Sequence, residues 1–305
     1  MTFIPAEPNV PAEQRGESPL VTRYEDIGQN GKLLLDAMPI VLGASVWGKL
    51  IQHPTSKAMR AAGIIPILSR LVLEGGQGPV SINSKLYGKG LFQSARTENA
   101  DGSVDKLFVN MWCTVFGEAG RTHGPPPENA GQTLECGRVF AEHVLTKPFG
   151  PKEERRVTRI DFPGLEPIPS AMYTWRTPES TLALPEGAVF LDEHFSKDPA
   201  PVIFGIDHTD SNQHVNSLVY PRLFIEAGLR RLWDHGKRGG LIVHAAEMSY
   251  RKPSFAGERV RALLRAFTRG KNCGIVAMLV ADEEAEAPLD TIRPRVFAKL
   301  YFRED

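Results

Sequence analysis

The stretch that decides the fold is Asp210-Ser211-Asn212-Gln213-His214-Val215-Asn216, followed by Ser217, Tyr220 and Glu226. It sets a carboxylate, a carboxamide and an imidazole on alternate residues. Before it, Val202 to Ile206 is short and apolar, as in a strand. After it, Ser217 to Trp233 brings Leu218, Leu223, Phe224, Ala227, Leu229 and Leu232 round near the helical period. Pro221 falls in the first turn of that helix, where a missing N–H costs little. Gly236 and Gly239-Gly240 close it.

Downstream, Leu241 to Arg251, Glu258 to Arg269, Gly274 to Asp282 and Arg295 to Phe302 read as strands. The gaps between the first three carry turn residues, such as Pro253-Ser254-Phe255-Ala256-Gly257 and Gly270-Lys271-Asn272. A strand, a long helix and four strands with short connections imply an antiparallel sheet wrapped around one helix, an α+β fold. The first half repeats the outline less clearly. Met38 to Trp47 reads as a strand and Ser56 to Glu74 as a helix interrupted at Gly63 and Pro66. Val80 to Arg96, Lys106 to Gly117, Gln132 to Thr146 and Arg155 to Phe162 read as strands. The expected organisation is a leader over 1–30, which is mobile or draped on the surface. An N-terminal domain over 31–162, a Pro-rich linker over 163–186 and a C-terminal domain over 187–305 follow.

Bulk properties narrow the class. Thirty-six basic and 36 acidic residues cancel, which disfavours wholesale nucleic-acid binding. No apolar run approaches the roughly 20 residues that span a bilayer, and the N-terminus has no signal-type apolar core. Cys113, Cys136 and Cys273 are odd in number and far apart. They read as buried free thiols in a reducing compartment, with a cytoplasmic location as the default. No His or Cys pair has metal-ligand spacing, and no cofactor motif is present.

The run Asp210, Asn212, Gln213, His214, Val215, Asn216 and Tyr220, with Glu226 on the helix, resembles the hotdog-fold thioesterases. It looks closest to the acyl-carrier-protein and 4-hydroxybenzoyl-CoA-type thioesterases. Glu247 to Pro253, with Gly257-Glu258-Arg259-Val260, is similar to that family's next strand and turn. The likeness covers about Val202 to Phe302, and over the first half it is architectural only. It implies a double hotdog, with the halves paired as a single-chain form of the usual dimer, monomeric or as a homodimer. It also implies hydrolysis of a fatty or polyketide-type thioester carried on coenzyme A or on acyl-carrier protein. Where the carrier-protein thioesterases place a further glutamate, this chain has Pro253.

Thioester hydrolysis needs an activated water or a nucleophile, and donors for a developing oxyanion. Asp210 is the candidate base or nucleophile, with Asn212 and His214 orienting water or the carbonyl. Asn216, Ser217, Tyr220 and Glu226 are candidate substrate contacts. The N–H groups around Asn216 to Leu218, unpaired at a helix start, are the candidate oxyanion donors. The blander reading is a turn plus a helix cap, since Asp and Asn favour both. For Asn216 the cap is the stronger reading, for Glu226 a helix-face salt bridge, and for Tyr220 packing. His53 lies where a second motif would sit in the first half, but no such motif is there. His123 reads as loop, while His143 and His244 read as core. Two other functions remain open: a hotdog dehydratase or hydratase acting on acyl thioesters, and a non-catalytic acyl-thioester-binding protein.

Overall fold

In the computed structural model, which describes residues 3–52, 54–162 and 166–304, the chain divides between Arg176 and Thr177 into two units.

The N-terminal unit begins its sheet at β1 (Arg15–Leu20). A helical stretch follows: α1 (Ile40–Leu42), a π turn (Gly43–Trp47), α2 (Gly48–Gln52) and α3 (Pro54–Ala61). Four strands come next: β2 (Ile65–Gly75), β3 (Leu86–Glu98), β4 (Val104–Glu118) and β5 (Thr133–Thr146). They pair antiparallel in the order β1-β3-β4-β5-β2. Leu107 to Cys113 of β4 are all buried. Such a run lacks polar alternation because both faces of the sheet are covered. On one face lie Val41, Leu42 and Val46 of the helical stretch. A Cβ at Gly16 would overlap the Ser45 carbonyl oxygen, and one at Gly88 would come within 2.8 Å of the Val41 Cβ. Strand glycines therefore let the helix sit close to the sheet. On the other face, Ile4 and Val10 pack with Val72, Leu91, Trp112 and Phe140. Each side chain so buried contributes roughly 2 kcal/mol.

The C-terminal unit opens with short edge pieces, β6 (Val189–Phe190), β7 (Ser196–Lys197) and β8 (Val202–Ile203), all paired with β10 (Arg259–Arg269). Helix α4 (Val219–Asp234) follows β8. With β9 (Leu241–Tyr250), β11 (Asn272–Ala281) and β12 (Val296–Glu304), the order is β8-β10-β11-β12-β9. This is the order of the first unit: leading strand first, then the third, fourth and fifth strands, with the second at the far side. Helix α4 lies against β9 to β12 and buries Tyr220, Phe224, Ala227, Gly228 and Leu232. A Cβ at Gly228 would sit 3.0 Å from Ile275 and Phe302, so here the small residue is on the helix. The opposite face of the sheet is covered around Leu263, Met278, Val280 and Phe297.

Several expectations for the first half need correction. Met38 to Trp47 is helical, not a strand. A run that is apolar apart from Ser45 carries no period that separates a buried helix from a buried strand. The helix read over Ser56 to Glu74 ends at Ala61. Gly63, at φ 73°, turns the chain straight into β2. Val80 to Lys85 precedes β3 as a turn with one isolated bridge, Val80 with Ala119, rather than as a strand. Arg155 to Phe162 contributes only an isolated bridge, Arg156 with Thr146. The 1–30 leader contains β1, and its start is docked: the Ile4 N–H donates to Glu74 at 3.2 Å and Trp112 Nε1–H to the Pro5 carbonyl at 2.9 Å. His53 and part of the linker lie outside the described residues. The second-half strands start and stop within a few residues of expectation, except that Val202 to Ile206 shortens to β8.

Candidate active site at the turn before the long helix

Between β8 and α4 the chain folds on itself. Thr209 and Val215 form an antiparallel bridge. Inside it, the Asp210 N–H donates to the His214 carbonyl at 3.0 Å and the Gln213 N–H to the Asp210 carbonyl at 2.9 Å. Gln213 adopts φ 64°, alone among the described non-glycine residues in that region. The geometry is a β-turn followed by one left-handed residue, a common way to close a short hairpin. The Asp210 side chain holds the turn from within, because its Oδ1 accepts the Asn212 N–H at 2.8 Å. Asp210 is half-buried, whereas Asn212 and His214 are exposed.

The turn is tied to its surroundings by backbone. The Val215 N–H donates to the Ser254 carbonyl at 2.8 Å, joining it to the β9–β10 connection. The His214 ring stands edge-on to Phe255, with centroids 5.2 Å apart. The Asn216 N–H donates to the His208 carbonyl at 2.9 Å. His208 Nδ1 accepts the Gly205 N–H at 3.0 Å, which leaves the neutral ring's proton on Nε2.

The helix start needs its N–H groups counted. The Leu218 N–H goes to Asn216 Oδ1 at 2.9 Å and the Val219 N–H to the Asn216 carbonyl at 3.0 Å. Asn216 thus spends its carboxamide oxygen on the chain in front of α4. Of the N–H groups from Asn216 to Leu218, only that of Ser217 has no acceptor among the described residues. The Ser217 carbonyl accepts the Tyr250 hydroxyl at 3.1 Å. Tyr220 is buried edge-on to Tyr250 and Phe204. Burial pushes its phenol pKa up, and Ser254, which faces the phenol, offsets part of the rise. Glu226 lies exposed on α4 and pairs with Arg230 one turn on, at 3.9 Å.

The turn therefore gathers Asp210, Asn212 and His214 on one closed loop, while Tyr220 packs below and Glu226 stands away on the helix surface. Sequence reasoning missed Ser254. It is wholly buried beside the turn, and its only sequence signal is its place after Pro253 in a turn-rich connection. It also missed that all but one of the N–H groups from Asn216 to Leu218 are already used. Among the described residues no cluster of three His, Cys, Asp or Glu is placed to hold a metal, and no helix is long and apolar enough to cross a membrane.

Leading strand, helix at its end and a four-stranded return, carried twice in one chain, invite comparison with solved structures. An acyl-ACP thioesterase from Bacteroides thetaiotaomicron superposes with a TM-score of 0.55 at 14% identity, over 95% of this chain and 98% of that one. The chain resembles the hotdog-fold acyl thioesterases. A 12:0-ACP thioesterase from Umbellularia californica is similar over 97% of this chain and all of its own, with a TM-score of 0.54 and 11% identity. At such identities the likeness is one of fold. No family model matches the sequence, and no curated protein matches it.

Proposed function

We propose that the protein is an acyl thioesterase built from two hotdog units. Its substrate would be a fatty or polyketide-type thioester of coenzyme A or acyl-carrier protein. The observation that carries the reading is the closed turn holding Asp210, Asn212 and His214 directly before α4, with the Ser217 N–H uncommitted beside it. The full-length likeness of fold supports it as well.

In this reading the Asp210 carboxylate accepts a proton from water as the water oxygen attacks the thioester carbonyl. Asn212 and His214 orient that water and the carbonyl, and the Ser217 N–H meets the oxyanion. When the carbon–sulfur bond breaks, the proton held on Asp210 passes to the leaving thiolate. The products are a carboxylic acid and a free thiol, and the carboxylate is restored. Losing one oxyanion donor typically costs about a hundredfold or more in rate.

A second reading has its own support. Asn212 and His214 are exposed, and Pro253 stands where the family resemblance implies a glutamate. That suits a protein that binds acyl thioesters without cleaving them. A thiol-release assay over short, long and aromatic acyl-CoAs and an acyl-carrier-protein thioester separates the two. Turnover that disappears in Asp210→Asn supports hydrolysis. Saturable binding with no thiol released from any substrate sinks it in favour of the binder, and water added or lost without thiol points to a hydratase.

A further inference from the structure

The two units share one strand order, so the loop carrying Asp210 has a counterpart in the first unit: the segment between β1 and α1. In the C-terminal unit that loop is joined to the β9–β10 connection by the Val215 N–H bond to Ser254. In the N-terminal unit the matching join is the Val80 N–H bond to the Gly31 carbonyl, 2.8 Å, onto the β2–β3 connection. A third loop, from β4 to β5, completes the place in the first unit. There the three line a half-open cavity of about 590 Å³.

The chemistry of this cavity differs from that of the Asp210 turn. Among the described residues no carboxylate lines it. Arg121 reaches it from the third loop and has no hydrogen-bond or ion-pair partner among the described residues. Beside it, Thr122 Oγ1 accepts the Ile82 N–H at 3.2 Å, which leaves its own O–H to donate. His123 Nε2 and the Tyr24 hydroxyl lie 3.0 Å apart, and this bond orients the ring. Val80, wholly buried, and Ile27 give an apolar floor. A planar guanidinium, a hydroxyl and an imidazole lining one cavity, with no acid among its described lining residues, suit an anion with several acceptor oxygens.

We propose that the N-terminal unit binds phosphate, free or as a monoester, in this cavity. The site is separate from the Asp210 turn and stands whether or not the chain is a thioesterase. Arg121 supplies the charge and bidentate donors, Thr122 a hydroxyl donor, and His123 a ring N–H. The apolar floor favours an ester that carries an apolar group.

The test is calorimetric titration of the full chain with inorganic phosphate, phenyl phosphate and acetate in turn. Binding of inorganic phosphate, or of phenyl phosphate alone, is expected, and the comparison tells free anion from ester. Arg121→Ala is expected to weaken it about tenfold or more, the usual effect of losing a charge-assisted hydrogen bond. Arg60→Ala, which removes a cation outside the cavity lining, is expected to leave it unchanged. Arg121 is exposed, so its loss does not threaten the fold, and an unchanged melting midpoint without ligand checks this. The proposal is overturned if neither phosphate compound binds at about 10 mM, beyond the weak end of specific affinity. It is equally overturned if acetate binds as well as phosphate, or if Arg121→Ala and Arg60→Ala behave alike.

Discussion

Asp210 and His214 are the closing pair of one turn: the N–H of the first donates to the carbonyl of the second at 3.0 Å. Their backbones are thereby fixed relative to each other before any ligand arrives. The Asp210 carboxylate has a second task, because its Oδ1 caps the Asn212 N–H. Structure and proposed chemistry thus draw on the same side chain, and substitutions have to be chosen to separate them.

Asp210→Asn retains an acceptor oxygen for the Asn212 N–H and removes the base. It is expected to keep the wild-type melting midpoint while lowering kcat for thiol release by at least about a hundredfold, the low end of what a positioned base contributes. Asp210→Ala loses the cap as well and is expected to cost about 1 kcal/mol in denaturant titration. Equal activity in Asp210→Asn and wild type removes Asp210 from the chemistry.

Gln213 holds φ 64°, a region that favours glycine. Gln213→Gly is expected to leave stability within about 1 kcal/mol of wild type, since relief of strain and added unfolded-state entropy oppose each other. Gln213→Val, β-branched, is expected to destabilise by more than about 1 kcal/mol. Urea midpoints of the two variants check this, and a Val variant as stable as the Gly variant contradicts the turn geometry.

The helix–sheet spacing is set by glycine on opposite partners in the two units. Gly16→Ala drives a methyl group into the Ser45 carbonyl oxygen and is expected to cost about 1–3 kcal/mol. Gly228→Ala meets only the tips of Ile275 and Phe302, at 3.0 Å, and gains helix propensity of about 1 kcal/mol. It is expected to be near neutral. Thermal melts of both variants settle the ranking.

Much of the second unit was legible because its elements announce themselves. Helix α4 shows an apolar face at helical spacing, and β9 to β12 are bounded by glycine and proline turns. The first unit hid its elements for physical reasons. Strand β1, Arg-Gly-Glu-Ser-Pro-Leu, pairs with β3 alone, and only an edge strand tolerates Pro19. The stretch leading into α2 is apolar through Met38 to Val46 apart from Ser45, so period gave no sign of a helix. Only Ala62, Gly63 and Ile64 separate α3 from β2, so the two read as one segment. At the site, the D-x-N-x-H spacing found the turn. It did not reveal that Asn216 and His208 already absorb neighbouring N–H groups, because that accounting depends on how the loop closes in space.

The three cysteines are buried. Burial pushes the Cys113 thiol up to about 12 and Cys136 to about 11, with Cys273 raised as well. Thiols held that far from ionisation react slowly. Ellman's reagent is expected to label none of them quickly in the native chain and all three in denaturant. Rapid native labelling of one thiol would show a locally open segment.

His143 offers the clearest pH effect on stability. It is buried on β5, its Nδ1 lies 3.3 Å from the Val109 carbonyl, and its ring stands edge-on to Trp47. Burial lowers its pKa to about 4, while the hydrogen bonds to Val109 and Ala141 oppose the shift. The folded chain then resists a proton that the unfolded chain takes up near pH 6.5. Between those values the unfolded state binds more protons, so stability falls as pH drops from about 6.5 through 4, by up to about 3 kcal/mol from this residue. His143→Gln removes the titration and is expected to flatten that part of the pH profile even if it lowers stability at pH 7. Urea midpoints at pH 7, 6, 5 and 4 on both proteins test it, and parallel profiles would mean that the buried ring is not the group responsible.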